Sequence, residues 1–286
     1  EPEDGAMLAG VLALSEVQVN ALYFLRRRLG RQWFQKLLSD EEVDREELDE
    51  YVEKGELIKG TLGAIQRKFE LFRRMGFLQP TVSEDLIETL FQKLNSGVSI
   101  VLQFGTYGDS LPAYMFVANY LTRRIHRRYV AAKNKAFGRK GDDPRPLMIV
   151  IEEAHKFLDP EIAQHTIFGA IARELRKYNV TLLIVDQRPS GIDDEVMSQL
   201  GTKITCLLDN EQDRDSVLAG VSGKSELKSV LAKLAAKQQA LIFGHAVPMP
   251  VAFQLREYGS AGSYESFISK GLSSPKQAEN DVEELW

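Results

Sequence analysis

The chain has 286 residues, 44% of them hydrophobic and 27% charged, with a formal net charge of −5. That length can bury a sizeable core as one large or two ordinary domains. The mild acidity makes no whole-chain electrostatic case for nucleic acid, so any such contact has to come from a local patch or from the inside of an assembly. A single cysteine, Cys206, set in an apolar strand-like run, excludes an intrachain disulfide and points to a reducing, cytoplasmic setting. No apolar stretch is long enough to cross a membrane, and the start, Glu1-Pro2-Glu3-Asp4, has no signal-peptide character.

The first third reads as helices. Ser15 to Leu38 carries a stripe of Val19, Leu22, Leu25, Leu29 and Phe34 behind Ser15 as N-cap. Asp40 to Lys54 is acid-rich and reads as a solvated helix face. Leu57 to Met75 is amphipathic through Leu62, Ile65, Phe69 and Phe72, with Gly76 placed to end it, and a shorter helix runs from Ser83 to Leu94. Residues 1–95 are therefore expected to form a helical subdomain. Val98 to Phe104 is expected to be a strand, followed by a Gly-containing loop, Gly105 to Leu111. Pro112 then opens a long helix that packs Met115, Val117, Ala118, Leu121 and Ile125 inward. Its far end is basic: Arg123, Arg124, Arg127, Arg128, Lys133, Lys135, Arg139 and Lys140. Such a run is more commonly a solvated face that suits a helix C-terminus than a phosphate-contacting surface.

After the polar loop Gly138 to Pro146 comes Leu147-Met148-Ile149-Val150-Ile151-Glu152-Glu153-Ala154-His155, an unalternating apolar run that ends in two adjacent carboxylates. The absence of alternation predicts a strand covered on both faces, as in a parallel sheet. An isolated run of this kind ends in a solvated cap about as often as in a ligand site. The helical spacing of Ile162, Ile167, Ile171 and Leu175 and a second apolar run, Val180 to Val185, shift that balance. Strand, helix, strand predicts a crossover that makes the two strands parallel, so that Glu152, Glu153 and Gln187 share one rim. A short helix (Asp193 to Leu200), a strand (Lys203 to Leu208), one or two helices (Asp209 to Leu234) and strands at Ala240 to Gly244 and Pro250 to Leu255 are expected to close a parallel-rich α/β sheet. The α/β core is bounded at 96–259, with 260–286 a C-terminal tail.

Three runs carry a family resemblance: Ile149 to His155; Ile171-Ala172-Arg173-Glu174-Leu175-Arg176-Lys177-Tyr178-Asn179-Val180; and Asp186-Gln187-Arg188-Pro189-Ser190-Gly191. Together with Gln199 to Ile204, Asp213 and Gln239 to Gly244 they resemble the HerA branch of the HerA/FtsK hexameric DNA-translocating ATPases. The resemblance implies an α/β P-loop (RecA-like) ATPase sheet flanked by helices, with an inserted helical subdomain. It implies ATP and Mg²⁺ as cofactors, with Glu152 holding Mg²⁺ through water, Glu153 polarising the attacking water and Gln187 contacting the γ-phosphate or that water. Arg176, with Arg173 as helper, would be the arginine finger that reaches a neighbouring subunit. It further implies a hexameric ring that threads double-stranded DNA, and a NurA-type nuclease partner in DNA-end processing. A conjugative or defence-system translocase, or a non-catalytic oligomerisation module of the same fold, are the alternatives. One departure stands out: the strand that in this family ends Asp-Leu-Ser-Gly here ends Gln103-Phe104-Gly105-Thr106.

Gly220-Val221-Ser222-Gly223-Lys224-Ser225 ends like a phosphate-binding loop, but Leu218 stands where its first glycine belongs and no buried strand precedes it. With no other match, the Walker A loop is expected to be absent from this chain, and the chain alone is expected to be inactive. His155 orients one of the acids, reads DNA, or is a satisfied histidine at a helix start. The scattered histidines show no zinc spacing, and a Ser110-His155-Asp186 triad has no nucleophile-elbow sequence to support it.

Overall fold

The computed structural model describes residues 9, 12–76, 85–105, 110–174, 177–235 and 238–257. These fall into two compact units, Glu1–Gln199 and Leu200–Trp286.

In the first unit, α1 (Glu16–Leu29) opens with a capping box: the Ser15 hydroxyl accepts the Gln18 N–H, and the Gln18 side chain accepts the Ser15 N–H. The single helix expected over Ser15 to Leu38 is broken at Gly30, whose φ of 63° cannot continue a right-handed helix. A 3-10 turn (Gly30–Gln32) leads instead into α2 (Trp33–Leu38). Helices α3 (Glu42–Glu53) and α4 (Lys59–Arg73) follow. α3 buries only Leu48, and its Glu47 pairs with Lys36, so the acid-rich stretch is indeed a solvated face. Leu22, Leu25, Trp33, Leu37, Ile65, Phe69 and Phe72 form the helical core. Phe34 lies 6.0 Å from Phe69 and 6.3 Å from Phe116, ring to ring, which ties this core to the long helix α6 (Leu111–Phe137). Before α6, α5 (Leu86–Ser96) is capped by the Asp85 side chain and stopped by Gly97 in the left-handed region.

The strand expected at Val98 to Phe104 is not one: no ladder partner lies beside it among the described residues, and Val101 is 92% exposed. Apolar β-propensity cannot substitute for a neighbouring backbone. Strand β1 (Leu147–Glu152) and β2 (Val180–Val185) do pair in parallel, from Leu147 opposite Val180 to Glu152 opposite Val185. They are joined through α7 (His155–Leu158) and α8 (Ile167–Glu174), with α8 packed on β2. The buried Asn119 of α6 accepts the Ile167 N–H at 2.8 Å and so fixes the start of α8. Helix α9 (Asp194–Gln199) packs on α8. The expectation that both sheet faces are covered fails on one side: Met148, Val150, Leu183 and Val185 are 44–59% exposed, whereas Ile151, Val180 and Leu182 on the other face are buried. The apolar run therefore hides a real period of two.

The second unit holds β3 (Thr202–Thr205), α10 (Glu211–Val217), α11 (Lys224–Leu231), β4 (Gln239–Gly244) and β5 (Val251–Gln254). The α/β class is as expected, but these closing strands form an antiparallel sheet in the order β3-β4-β5 rather than a parallel one. Two helices, not one, separate β3 from β4, so the chain re-enters from the end at which it left; β4 and β5 are joined by a short turn that admits only a hairpin. At the β3–β4 edge Gly244 has a φ of 103°, and a Cβ there would collide with the Gly201 carbonyl. Cys206 is exposed just beyond β3 rather than held within a strand. The expected tail, 260–286, lies outside the described residues.

Candidate nucleotide-hydrolysis rim

The parallel register decides where the acids lie. Glu152 closes β1 opposite Val185, so Glu153 on one strand end and Asp186-Gln187 on the other leave the sheet side by side. Glu152, Glu153 and Gln187 are all exposed. The register thus brings two carboxylates and a carboxamide to the C-terminal ends of adjacent parallel strands, the usual place for a ligand crevice in such sheets.

The turn after β1 is strained and stapled. Glu153 has a φ of 51°, in the left-handed region that non-glycine residues avoid, at a cost of order 1–3 kcal/mol. The turn is closed by the Lys156 N–H, which donates to the Glu153 carbonyl at 3.0 Å. The Asp186 side chain is only 4% exposed and accepts from the His155 backbone N–H at 2.8 Å, from His155 Nδ1 at 2.8 Å and from the Arg188 N–H at 2.6 Å. The other ring nitrogen of His155, Nε2, lies 3.7 Å from Glu153 Oε2. His155 is thus a satisfied histidine at the start of α7 that also turns its second ring nitrogen toward an acid.

Tyr114 was not foreseen. It stands in the first turn of α6, its ring 4.9 Å from Phe157 and 4.5 Å from Phe104. Burial raises its hydroxyl pKa, and the charges of Glu152 and Glu153 raise it further, so the phenol belongs to the same electrostatic neighbourhood. An aromatic at helical spacing reads in sequence as core, and only the placement of α6 against α7 reveals more.

The donor set suits Mg²⁺ held jointly with phosphate and water. Mg²⁺ sites of nucleotide enzymes use one or two carboxylates with substrate phosphates, and Glu152 supplies an exposed one. Among the described residues no cluster of three or more His, Cys, Asp or Glu could cage a metal by itself. Nor does the Gly-Lys-Ser stretch form a phosphate loop: Gly223, with a φ of 72°, precedes α11, and the element before it is α10, not a strand. Arg173 is exposed in the last turn of α8, while Arg176 lies outside the described residues. Part of the basic end of α6 is paired internally: Arg128 with Asp85 and Glu88, and Lys133 with Asp143, while Arg124 lies over the Tyr120 ring.

No family model matches the chain. Among solved structures, VirB4 of Thermoanaerobacter pseudethanolicus superposes with a TM-score of 0.49 at 14% identity, covering 92% of this chain and 69% of that one. Curated sequences match more sharply. The DNA double-strand break repair helicase HerA of Saccharolobus solfataricus is 34% identical over 196 residues, 67% of this chain and 37% of that protein. The proteins of the same name from Sulfurisphaera tokodaii and Pyrococcus furiosus are 33% identical over 175 residues and 36% over 125, covering 59% and 41% of this chain. The chain spans 22–37% of the length of these relatives. Over these stretches the chain is similar to the HerA helicases, and the matches support a place in the HerA-type superfamily.

Proposed function

We propose that this chain forms the acid-bearing part of an ATP-driven DNA translocase or helicase, acting in DNA-end processing as a hexameric ring around duplex DNA with a nuclease partner. One observation carries the reading: Glu152 and Glu153 leave β1 in parallel register with β2, so that Gln187 emerges beside them. That is the arrangement an in-line attack on a γ-phosphate needs, because one strand end must hold the attacking water and the next must sense the phosphate. Glu153 accepts a hydrogen bond from the water and draws electron density toward its oxygen. Gln187, with both a donor and an acceptor, can bridge water and phosphate. Bound Mg²⁺ would neutralise charge on the phosphates, with Glu152 as its protein carboxylate. Arg173 and Arg176 are the candidate fingers for an adjoining subunit, and their cationic charge would offset charge that develops on the transferred group.

The test is Glu153→Gln in the full-length protein. Hydrolysis should fall by on the order of a hundredfold or more while ATP binding persists, since a water-positioning base commonly contributes that much. Near-normal turnover would sink the reading and favour a non-catalytic oligomerisation module.

A further inference from the structure

We propose that His155 is a positioning residue for ATP hydrolysis, one that holds the Glu153 carboxylate in place for the attacking water while Asp186 holds the ring. The proposal rests on the ATPase reading above and adds a group to it.

The geometry is that of a ring clamped on three sides. Asp186 is a buried acceptor and takes both the backbone N–H and Nδ1 of His155, each at 2.8 Å. An acceptor at Nδ1 fixes the ring proton there and sets the ring plane. On another side the 3-10 turn Pro189–Gly191 presses close: a Cβ on Gly191 would stand 3.2 Å from the His155 Cβ, so the glycine leaves the imidazole room but no slack. The remaining edge, Nε2, faces Glu153 Oε2 at 3.7 Å. That distance is too long for a direct hydrogen bond and short enough to bound where the carboxylate can sit, or to be bridged by one water. Glu153 needs such a bound, because it sits on a left-handed turn and is itself exposed. The chain Asp186, His155, Glu153 thus runs from a buried anchor to the exposed group that must be aimed.

A histidine that only staples β1 to β2 would use Nδ1 and its backbone N–H, and its other edge would be idle. The two roles separate in a coupling experiment on the full-length protein, with kcat, KM, affinity for a fluorescent N-methylanthraniloyl-ATP and thermal midpoint measured together. His155→Ala should lower kcat about tenfold to a hundredfold, as loss of an orienting partner commonly does, with KM and analogue affinity within about twofold of wild type. On a Glu153→Gln background the same change should cost little more, because both act through one carboxylate. His155→Gln, whose amide reaches the Nε2 position, should recover more of kcat than His155→Asn, which reaches only the Nδ1 position. His155→Asn retains the bond to Asp186 and keeps the comparison valid if the alanine variant does not fold. Equal loss on both backgrounds, an unchanged kcat, or analogue affinity that falls in step with kcat would overturn the assignment. Near-wild-type turnover in Glu153→Gln alone would instead remove the ATPase reading beneath it.

Discussion

Asp186 accepts two hydrogen bonds from one residue, His155, each of 2.8 Å, and so closes the end of β2 onto the turn that leaves β1. With the Arg188 N–H, three donors converge on this 4%-exposed carboxylate. Asp186→Ala would leave them without a partner in a part-buried place. Bonds to a charged acceptor contribute about 1.5–3 kcal/mol each, and a buried orphan donor costs about 1–3 kcal/mol. The variant should lose at least about 2 kcal/mol in urea denaturation, and Asp186→Asn, which keeps one acceptor oxygen, should lose less. An unchanged midpoint for Asp186→Ala would show that the staple is ornamental.

Gly169 lies on α8, where its N–H meets the Thr166 hydroxyl at 3.3 Å and where a Cβ would collide with the Ala163 carbonyl oxygen. That oxygen is backbone and cannot swing aside. Gly169→Ala should therefore destabilise by about 1–3 kcal/mol, the usual cost of overpacking. Gly60→Ala on α4 meets nothing within 4 Å and should be neutral or stabilising by up to about 1 kcal/mol. Thermal melts of the two variants side by side test the contrast, and equal shifts would contradict it.

Much of this fold was legible in the sequence, and the failures share a cause. Helix starts were readable where a side chain caps them, as at Ser15, and where Pro112 presets the first turn of α6. The parallel pairing of β1 and β2 followed from chain order, and with it the juxtaposition of Glu152 and Glu153 with Gln187. What sequence could not supply was the identity of neighbours. Val98 to Leu102 has strand chemistry but no strand beside it, and Met148 and Val150 have core chemistry but nothing over them among the described residues. Likewise Tyr114 and Asp186 gain their significance from what stands across from them. Local pattern fixes the element, and tertiary placement fixes its use.

Lys203 provides a pH signature for the second unit. Its buried ammonium donates to the Ala219 carbonyl at 2.8 Å, and burial, with the nearby charge of Lys224, lowers its pKa from 10.5 to about 8. Between those values the unfolded chain binds a proton that the folded one does not, so this group makes stability rise with pH from about 8 toward 10.5. The slope is at most about 1.4 kcal/mol per pH unit. Lys203→Met should abolish that component, so the unfolding free energy of the variant minus that of wild type should fall as pH rises across the window. Curves that stay parallel would mean that the ammonium is not penalised.

If Arg176, assisted by Arg173, acts on the neighbouring subunit's nucleotide, the defect should be complementable in mixed rings. An Arg176→Ala subunit keeps its own Glu153, and a Glu153→Gln subunit keeps its own arginines, so one kind of shared interface in a mixed ring is intact. Mixing the two inactive variants should restore part of the hydrolysis, as expected for a cation contributed in trans. Fully mixed rings without recovery would argue against action in trans.

The 286-residue chain by itself should bind Mg-ATP in the millimolar range or more weakly and should not turn it over. A triphosphate is ordinarily held by a nest of backbone N–H groups and a lysine, and no described residues build that nest beside Glu152, Glu153 and Gln187. Each remaining contact is a charge or an amide facing water, where two unit charges a few ångström apart attract by only ~1 kcal/mol. The two carboxylates repel the nucleotide unless a cation lies between them. Together these limit binding to roughly 4 kcal/mol, a dissociation constant near millimolar. Titration calorimetry on this chain checks the limit. Micromolar affinity would shift the phosphate site to the Gly223-Lys224-Ser225 turn, where Gly223 precedes α11 in the left-handed conformation, or to another site, and Lys224→Ala would distinguish the two by abolishing the binding only in the first case.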